Sequence, residues 1–129
     1  MTPQHAGLTI ERWAQFDFGR QILMIANELH RARQLTTAAD FERRRSSLER
    51  VYALVDLTIA ANPAPRRRRE LLRWREQLGV AYLAATAPEL ERTLLRVLLQ
   101  LSPAAAVQIP FVAGIDPVRR AARSPTDSL

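Results

Sequence analysis

Four stretches of the chain carry apolar residues at the three- and four-residue spacing of a helix face, separated by prolines or short polar runs. The clearest runs from about Thr9 to Leu35, where Phe18, Ile22, Ile25, Leu29 and Ala32 succeed one another at steps of four, three, four and three. Nothing alternates with period two over a useful length, so the pattern predicts helices and excludes a sheet. The second stretch opens after "TTAAD", where Thr37 followed by Asp40 has the form of a capping box. It carries Phe41, Leu48, Tyr52, Val55 and Ile59 to about Ala61. "NPAP" ends it, because proline lacks an amide donor and restricts the residue before it.

The third stretch starts near Arg66 and aligns Leu71, Trp74, Leu78, Ala81 and Ala85. The fourth begins at "TAPE", with Thr86 and Glu89 as a second capping box and Pro88 in the first turn. It aligns Leu90, Leu94, Val97, Leu98 and Leu101 before Pro103 stops it. Connections of a few residues force neighbouring helices to double back. An all-α fold is therefore expected, an antiparallel up-down-up-down four-helix bundle over residues 9–102. The first two helices would be about 35 to 40 Å long and the fourth about 20 Å. Residues 1–8 read as a loose N-terminus. The tail, residues 103–129, has four prolines and no helical period, and is expected to be extended or disordered, with "VQIPFVAGI" a candidate docking segment.

A chain of 129 residues bounds the fold to one domain, and the absence of cysteine removes any disulfide framework or thiolate metal site. The N-terminus lacks the pattern of a signal peptide, and no apolar run approaches the roughly 20 residues that span a bilayer, so a soluble cytoplasmic protein without membrane contact is expected. Basic residues outnumber acidic ones by 19 to 13, a net charge of +6, and every basic residue is arginine. A GC-rich genome would by itself favour arginine over lysine. Nineteen guanidinium groups nevertheless give planar donors suited to phosphate and carboxylate.

The arginines cluster. Arg66, Arg67, Arg68 and Arg69, followed by Arg73, open the third helix, where the partial positive charge of the helix N-terminus disfavours cations by a few tenths to about 1 kcal/mol each. Arg43, Arg44 and Arg45 repeat the feature at the start of the second helix, beside Arg31 and Arg33. In an antiparallel bundle these form two basic poles, with Arg119, Arg120 and Arg123 of the tail nearer the first. One reading is a bound polyanion that meets amides and guanidinium groups together; the other is a solvated cluster screened by Glu70 and Glu76. Outside the core stripes, Leu72, Gly79, Val80 and Leu83 fall on a second side of the third helix. Phe16 and Leu23, flanked by Trp13 and Met24, do the same on the first. Such residues either widen the core or form a protein interface.

Little in the sequence supports catalysis. His5 and His30 are the only histidines, Glu28 is not followed by histidine three residues later, and no phosphate loop, zinc motif or nucleophile elbow occurs. No metal or cofactor is expected. Asp17 and Asp56 lie in or beside apolar stretches and are candidate buried acids paired with arginine.

"ERWAQFDFGRQILMIANELHRAR", "SLERVYALVDLTIA" and "RRRRELLRWREQLGVAYL", together most of residues 11–83, resemble small prokaryotic helical proteins that share a Trp and the stretches "IA-x-EL-x-RA", "DLTI" and "R-x-x-EL-x-R-x-RE". In length, basic charge and bundle pattern the chain is also similar to the accessory four-helix-bundle proteins of diversity-generating retroelements, and to the helical small subunits of CRISPR effector complexes. The retroelement resemblance implies a ring-forming RNA-binding protein beside a reverse transcriptase. The chain lacks the tryptophan-containing C-terminal helix of those proteins, and no site residue carries over.

The expected function is therefore a non-enzymatic accessory subunit of a nucleoprotein assembly, itself a homo-oligomer. It would bind nucleic acid, RNA before DNA, through Arg43, Arg44, Arg45, Arg66, Arg67, Arg68, Arg69 and Arg73 without reading sequence. A larger protein subunit would be held through Phe16, Leu23, Leu72, Val80 and Leu83. The alternative is a helical protein adaptor or antitoxin-like module without nucleic acid.

Overall fold

In the computed structural model, which describes residues 8–84 and 86–111, every regular element is helical. Helix α1 spans Ile10–Ala14, α2 Phe18–Arg33, α3 Phe41–Ala61, α4 Pro65–Leu83, α5 Pro88–Gln100 and α6 Pro103–Ala106, with single 3-10 turns at Ala38–Asp40 and Ile109–Phe111. Helix α2 packs against α3, α5 and α6, α3 also against α1 and α4, and α5 against α4 and α6. No helix among the described residues is long and apolar enough to cross a membrane.

The single long first helix expected from Thr9 to Leu35 is two helices. Asp17 has extended backbone, and its Oδ1 accepts from the Arg20 amide at 2.8 Å, so it N-caps α2 and forces a break after α1. Across the break, the buried side-chain amide of Gln21 donates through Nε2 to the Trp13 carbonyl at 2.9 Å, which also accepts from the Phe16 amide, and to the Phe16 carbonyl in the link after α1 at 3.0 Å. Trp13 thereby turns inward and becomes fully buried. Its indole Nε1 donates to Thr58 Oγ1 at 2.9 Å, and the Thr58 hydroxyl donates to the Leu54 carbonyl at 2.7 Å. Asn62 completes the cluster, its Nδ2 donating to Gln21 Oε1 at 2.9 Å and to the Thr58 carbonyl at 2.8 Å. Four side chains thus tie α1, α2 and the end of α3 together.

Neither expected capping box forms. Thr37 precedes a 3-10 turn and its hydroxyl donates to the Asp40 carboxylate at 3.0 Å instead of accepting an amide; α5 is entered through Ala87 with Pro88 as its first residue. The tail, expected to be extended from Pro103, begins with two ordered turns. Ser102 Oγ caps α6 by accepting from the Ala105 amide at 3.3 Å, and Ala105 and Ile109 are buried. Gly19 admits this close approach, since a Cβ there would lie 3.1 Å from Ser102 Oγ and 3.2 Å from Ala104 Cβ. Val112 to Ile115 of the proposed docking segment, the tail arginines and residues 1–7 lie outside the described residues.

The core stripes largely agree with the periodicity. Ile22, Ile25, Leu29 and Ala32 of α2, Leu48 and Val55 of α3, and Leu71, Trp74, Leu78 and Ala81 of α4 are buried. Each large side chain so buried contributes about 1.5 to 3 kcal/mol. On α5 the buried set is Leu94, Leu95, Leu98 and Leu99, and Val97, expected inside, is exposed.

Replacing Thr58 with Val keeps the shape of the side chain but leaves the Trp13 indole N–H buried without an acceptor. We expect a loss of about 1 to 3 kcal/mol in urea-induced unfolding, larger than the loss for Asp17→Ala, about 1 kcal/mol, at the partly exposed cap.

Candidate functional site

The two arginine clusters differ in what holds them. Arg44, four residues before Leu48, projects from the buried face of α3, and its side chain is only 2% exposed. Its Nε donates to Glu91 Oε2 at 3.0 Å, one terminal nitrogen donates to the Ala84 carbonyl and the other to the Ala81 carbonyl, each at 3.0 Å, and the latter also meets Glu91 Oε2. The Ala81 carbonyl, which also accepts from the Ala84 amide, and the Ala84 carbonyl lie at the C-terminus of α4, the negative end of its dipole, and Glu91 lies in the first turn of α5, the positive end of its own. Arg44 is therefore a cap and a buried ion pair, and it leaves the set of nucleic-acid-binding residues.

Arg45 is largely committed as well. It donates to the Tyr82 hydroxyl at 2.8 Å and lies over the rings of Tyr82 and Phe41, while Tyr82 donates to Glu49 at 2.8 Å. Arg43 is exposed but pairs with Asp40 at 3.4 Å. Beside it, Arg31 and Arg50 converge on Glu28, at 3.5 and 3.0 Å, around a cleft that also holds Ser46 and Ser47. At this end Arg31, Arg43, Arg44 and Arg50 are matched to carboxylates, and Arg45 to a tyrosine hydroxyl.

The cluster that opens α4 is different. The start of α4 lies beside the end of α3, so Arg68 reaches back and donates to the Ile59 carbonyl at 3.2 Å. Arg67 donates to Asn62 Oδ1 at 3.3 Å and its guanidinium lies 3.7 Å from the centre of the Phe18 ring. The negative group that makes this arginine run tolerable is thus the carbonyl end of the preceding helix, helped by an amide and an aromatic face. Arg66, Arg69 and Arg73 are exposed and make no ion pair with any carboxylate among the described residues.

The expected apolar interface also divides. Phe16 packs edge to face on Trp13 at 5.7 Å, and Phe16 and Leu23 are half-buried against the core, so they present less free surface than the α4 residues. Leu72, Val80 and Leu83 are exposed on the outward side of α4. Unpaired arginines and exposed apolar side chains therefore share one helix, with Arg69, Leu72, Arg73, Arg75 and Glu76 around one shallow depression. Of these, Arg75 is held by Asp56 at 2.7 Å and stacks on Tyr52. Asp56 is thus paired but exposed, and Asp17 is a cap.

No three His, Asp or Glu side chains among the described residues are grouped as a metal site would need. His30 has its pKa lowered by burial first and by Arg33 second. No protein-family model, curated protein or solved structure matches the chain.

Removing Arg44 strands Glu91 in the interior, so Arg44→Met should cost about 3 to 5 kcal/mol in chemical denaturation, and Arg44→Met with Glu91→Leu should recover most of it. The pH dependence of stability carries the His30 signature. Its folded pKa lies below the ordinary 6.5, so the unfolded chain binds the proton first. Stability should fall as pH drops through about 6.5 and level off below the folded value, a slope that His30→Gln removes.

Proposed function

We propose that this chain is a non-enzymatic accessory subunit of a nucleoprotein assembly, an antiparallel up-down-up-down four-helix bundle that contacts phosphate through the start of α4 and protein through its outward side. The bundle reading rests on helix contacts that close a cycle from α2 through α3, α4 and α5 back to α2. It rests also on the pairing of opposite ends, Arg50 with Glu28, Asn62 with Gln21, Arg44 with Ala84 and Arg68 with Ile59.

The observation that carries the functional reading is the coincidence on α4 of three exposed arginines without carboxylate partners and three exposed aliphatic side chains. Guanidinium groups spaced at 66, 69 and 73 fall along one side of a helix, matching a row of phosphates better than a single small anion. Such contacts position a strand without reading its bases, so weak sequence preference is expected. The class agrees with the likeness to accessory proteins of diversity-generating retroelements and takes no residue from it.

The adaptor reading draws its support from the other cluster, where Arg31, Arg43 and Arg50 are matched to Glu28 and Asp40 and offer little free charge to a polyanion. One experiment separates the two. Arg66→Glu with Arg69→Glu should weaken binding to a single-stranded RNA by at least tenfold, about 1.4 kcal/mol, and make the slope of log affinity against log salt shallower by about 2. Thermal stability should rise slightly, because acidic side chains suit a helix N-terminus. Unchanged RNA and DNA affinity at low salt, with the helical content intact, would assign these arginines to solubility and leave the adaptor reading.

A further inference from the structure

Along α4, Arg69, Arg73, Glu76, Val80 and Leu83 succeed one another at steps of four, three, four and three. That is the seam spacing of paired helices, and it runs on the side away from the buried Leu71, Trp74, Leu78 and Ala81. Val80 and Leu83 are 55% and 84% exposed, and Leu72, on the flank of the seam, is 45% exposed. Next to it, between α4 and α5, lies a groove of about 340 Å³ whose α5 wall is mostly apolar and whose α4 wall is Trp74 with Glu70, Arg73 and Gln77. A helix lying along the seam would partly cover that groove.

The charges on the seam are ordered along the helix. Two arginines come first, one glutamate follows, and the remainder is aliphatic. A parallel copy of α4 would set arginine against arginine. An antiparallel copy, related by a two-fold axis passing between Arg73 and Glu76, sets Arg73 of each copy at the height of Glu76 of the partner subunit. The same axis places the stem of Arg69 opposite Val80 of the partner subunit, and aliphatic arginine stems pack well on such side chains. The seam is self-complementary in this one direction, which is the requirement for a two-fold contact.

From this we infer that the outward face of α4 is a self-association surface, and that its occupant is a second copy of this chain, antiparallel, with reciprocal Arg73–Glu76 pairs. The inference rests on the reading of that face as a protein contact and adds its partner and register. In this register Arg66 of each copy comes opposite Leu83 of the partner subunit, at the edge of the contact, so phosphate and the second copy draw on the same face of α4.

Charge exchange at the two pairing positions gives the test, run on the full chain without nucleic acid by light scattering at tens of micromolar. The wild type should be a dimer. Arg73→Glu alone creates two Glu–Glu contacts across the axis and Glu76→Arg alone creates two Arg–Arg contacts, so each variant should dissociate at least tenfold more readily. An equimolar mixture of the two restores both opposite-charge pairs in a heterodimer, and dimerisation should return. A monomeric wild type overturns the inference, as does a dimer that neither change weakens. Variants that weaken dimerisation but do not rescue each other on mixing overturn the register and with it the proposal. Both positions are exposed, and circular dichroism confirms that each variant folds. Failure here leaves the RNA measurement on the Arg66 and Arg69 variant standing by itself.

Discussion

A guanidinium group with almost no access to water sits where three helices meet, and much of the architecture follows from how it is neutralised. Arg44 leaves α3, meets the carbonyls of Ala81 and Ala84 at the end of α4 and pairs with Glu91 in the first turn of α5. Burying either charge alone costs several kcal/mol. Their pairing, with the carbonyls absorbing further donors, makes the burial tolerable only if α4 ends and α5 begins at this place. The packing of α3 against α4 and the short passage from α4 to α5 are thereby linked through one side chain.

The other end of α3 follows the same rule with neutral groups. Trp13, Gln21, Thr58 and Asn62 bond to one another and to the carbonyls of Trp13 and Phe16 at the break between α1 and α2. Asn62 Oδ1 then accepts from Arg67, and Arg68 takes the Ile59 carbonyl. Two of the four consecutive arginines are in this way part of the α3–α4 turn. The cost of placing cations at the start of α4 is offset because the end of α3, with opposite polarity, lies alongside.

Among the described residues, α4 carries exposed arginines without carboxylate partners beside exposed aliphatic side chains. Its inward side carries Leu71, Trp74, Leu78 and Ala81, its flank toward α3 carries Arg75 against Asp56 and Tyr52, and its outward side carries uncommitted charge and aliphatic surface together. A helix so divided can belong to a core and still offer a surface to two kinds of partner, phosphate at its start and protein along its length. The functional proposals depend on that division of one helix, and they use few of the arginines that make the chain basic.

The sequence by itself determined the helices, because an apolar period of three and four residues can bury only one face, and prolines at 63, 65, 88 and 103 lack the amide a continuing helix needs. It also marked Leu72, Val80 and Leu83 as lying off the core side of their helix. It could not tell a core arginine from a surface one by composition, although Arg44 and Glu91 each precede a buried leucine by four residues, on the core side of their helices. Nor did periodicity reveal the break at Asp17, since the apolar pattern on both sides is compatible with one continuous helix and the cap operates through a local hydrogen bond. Tertiary structure decided how several arginines are spent, because the groups that hold them lie far along the chain, nine residues away for Ile59 and Arg68 and 47 for Glu91 and Arg44. Charge is a property of a residue; whether that charge is available depends on the carbonyls, carboxylates and rings that folding brings beside it.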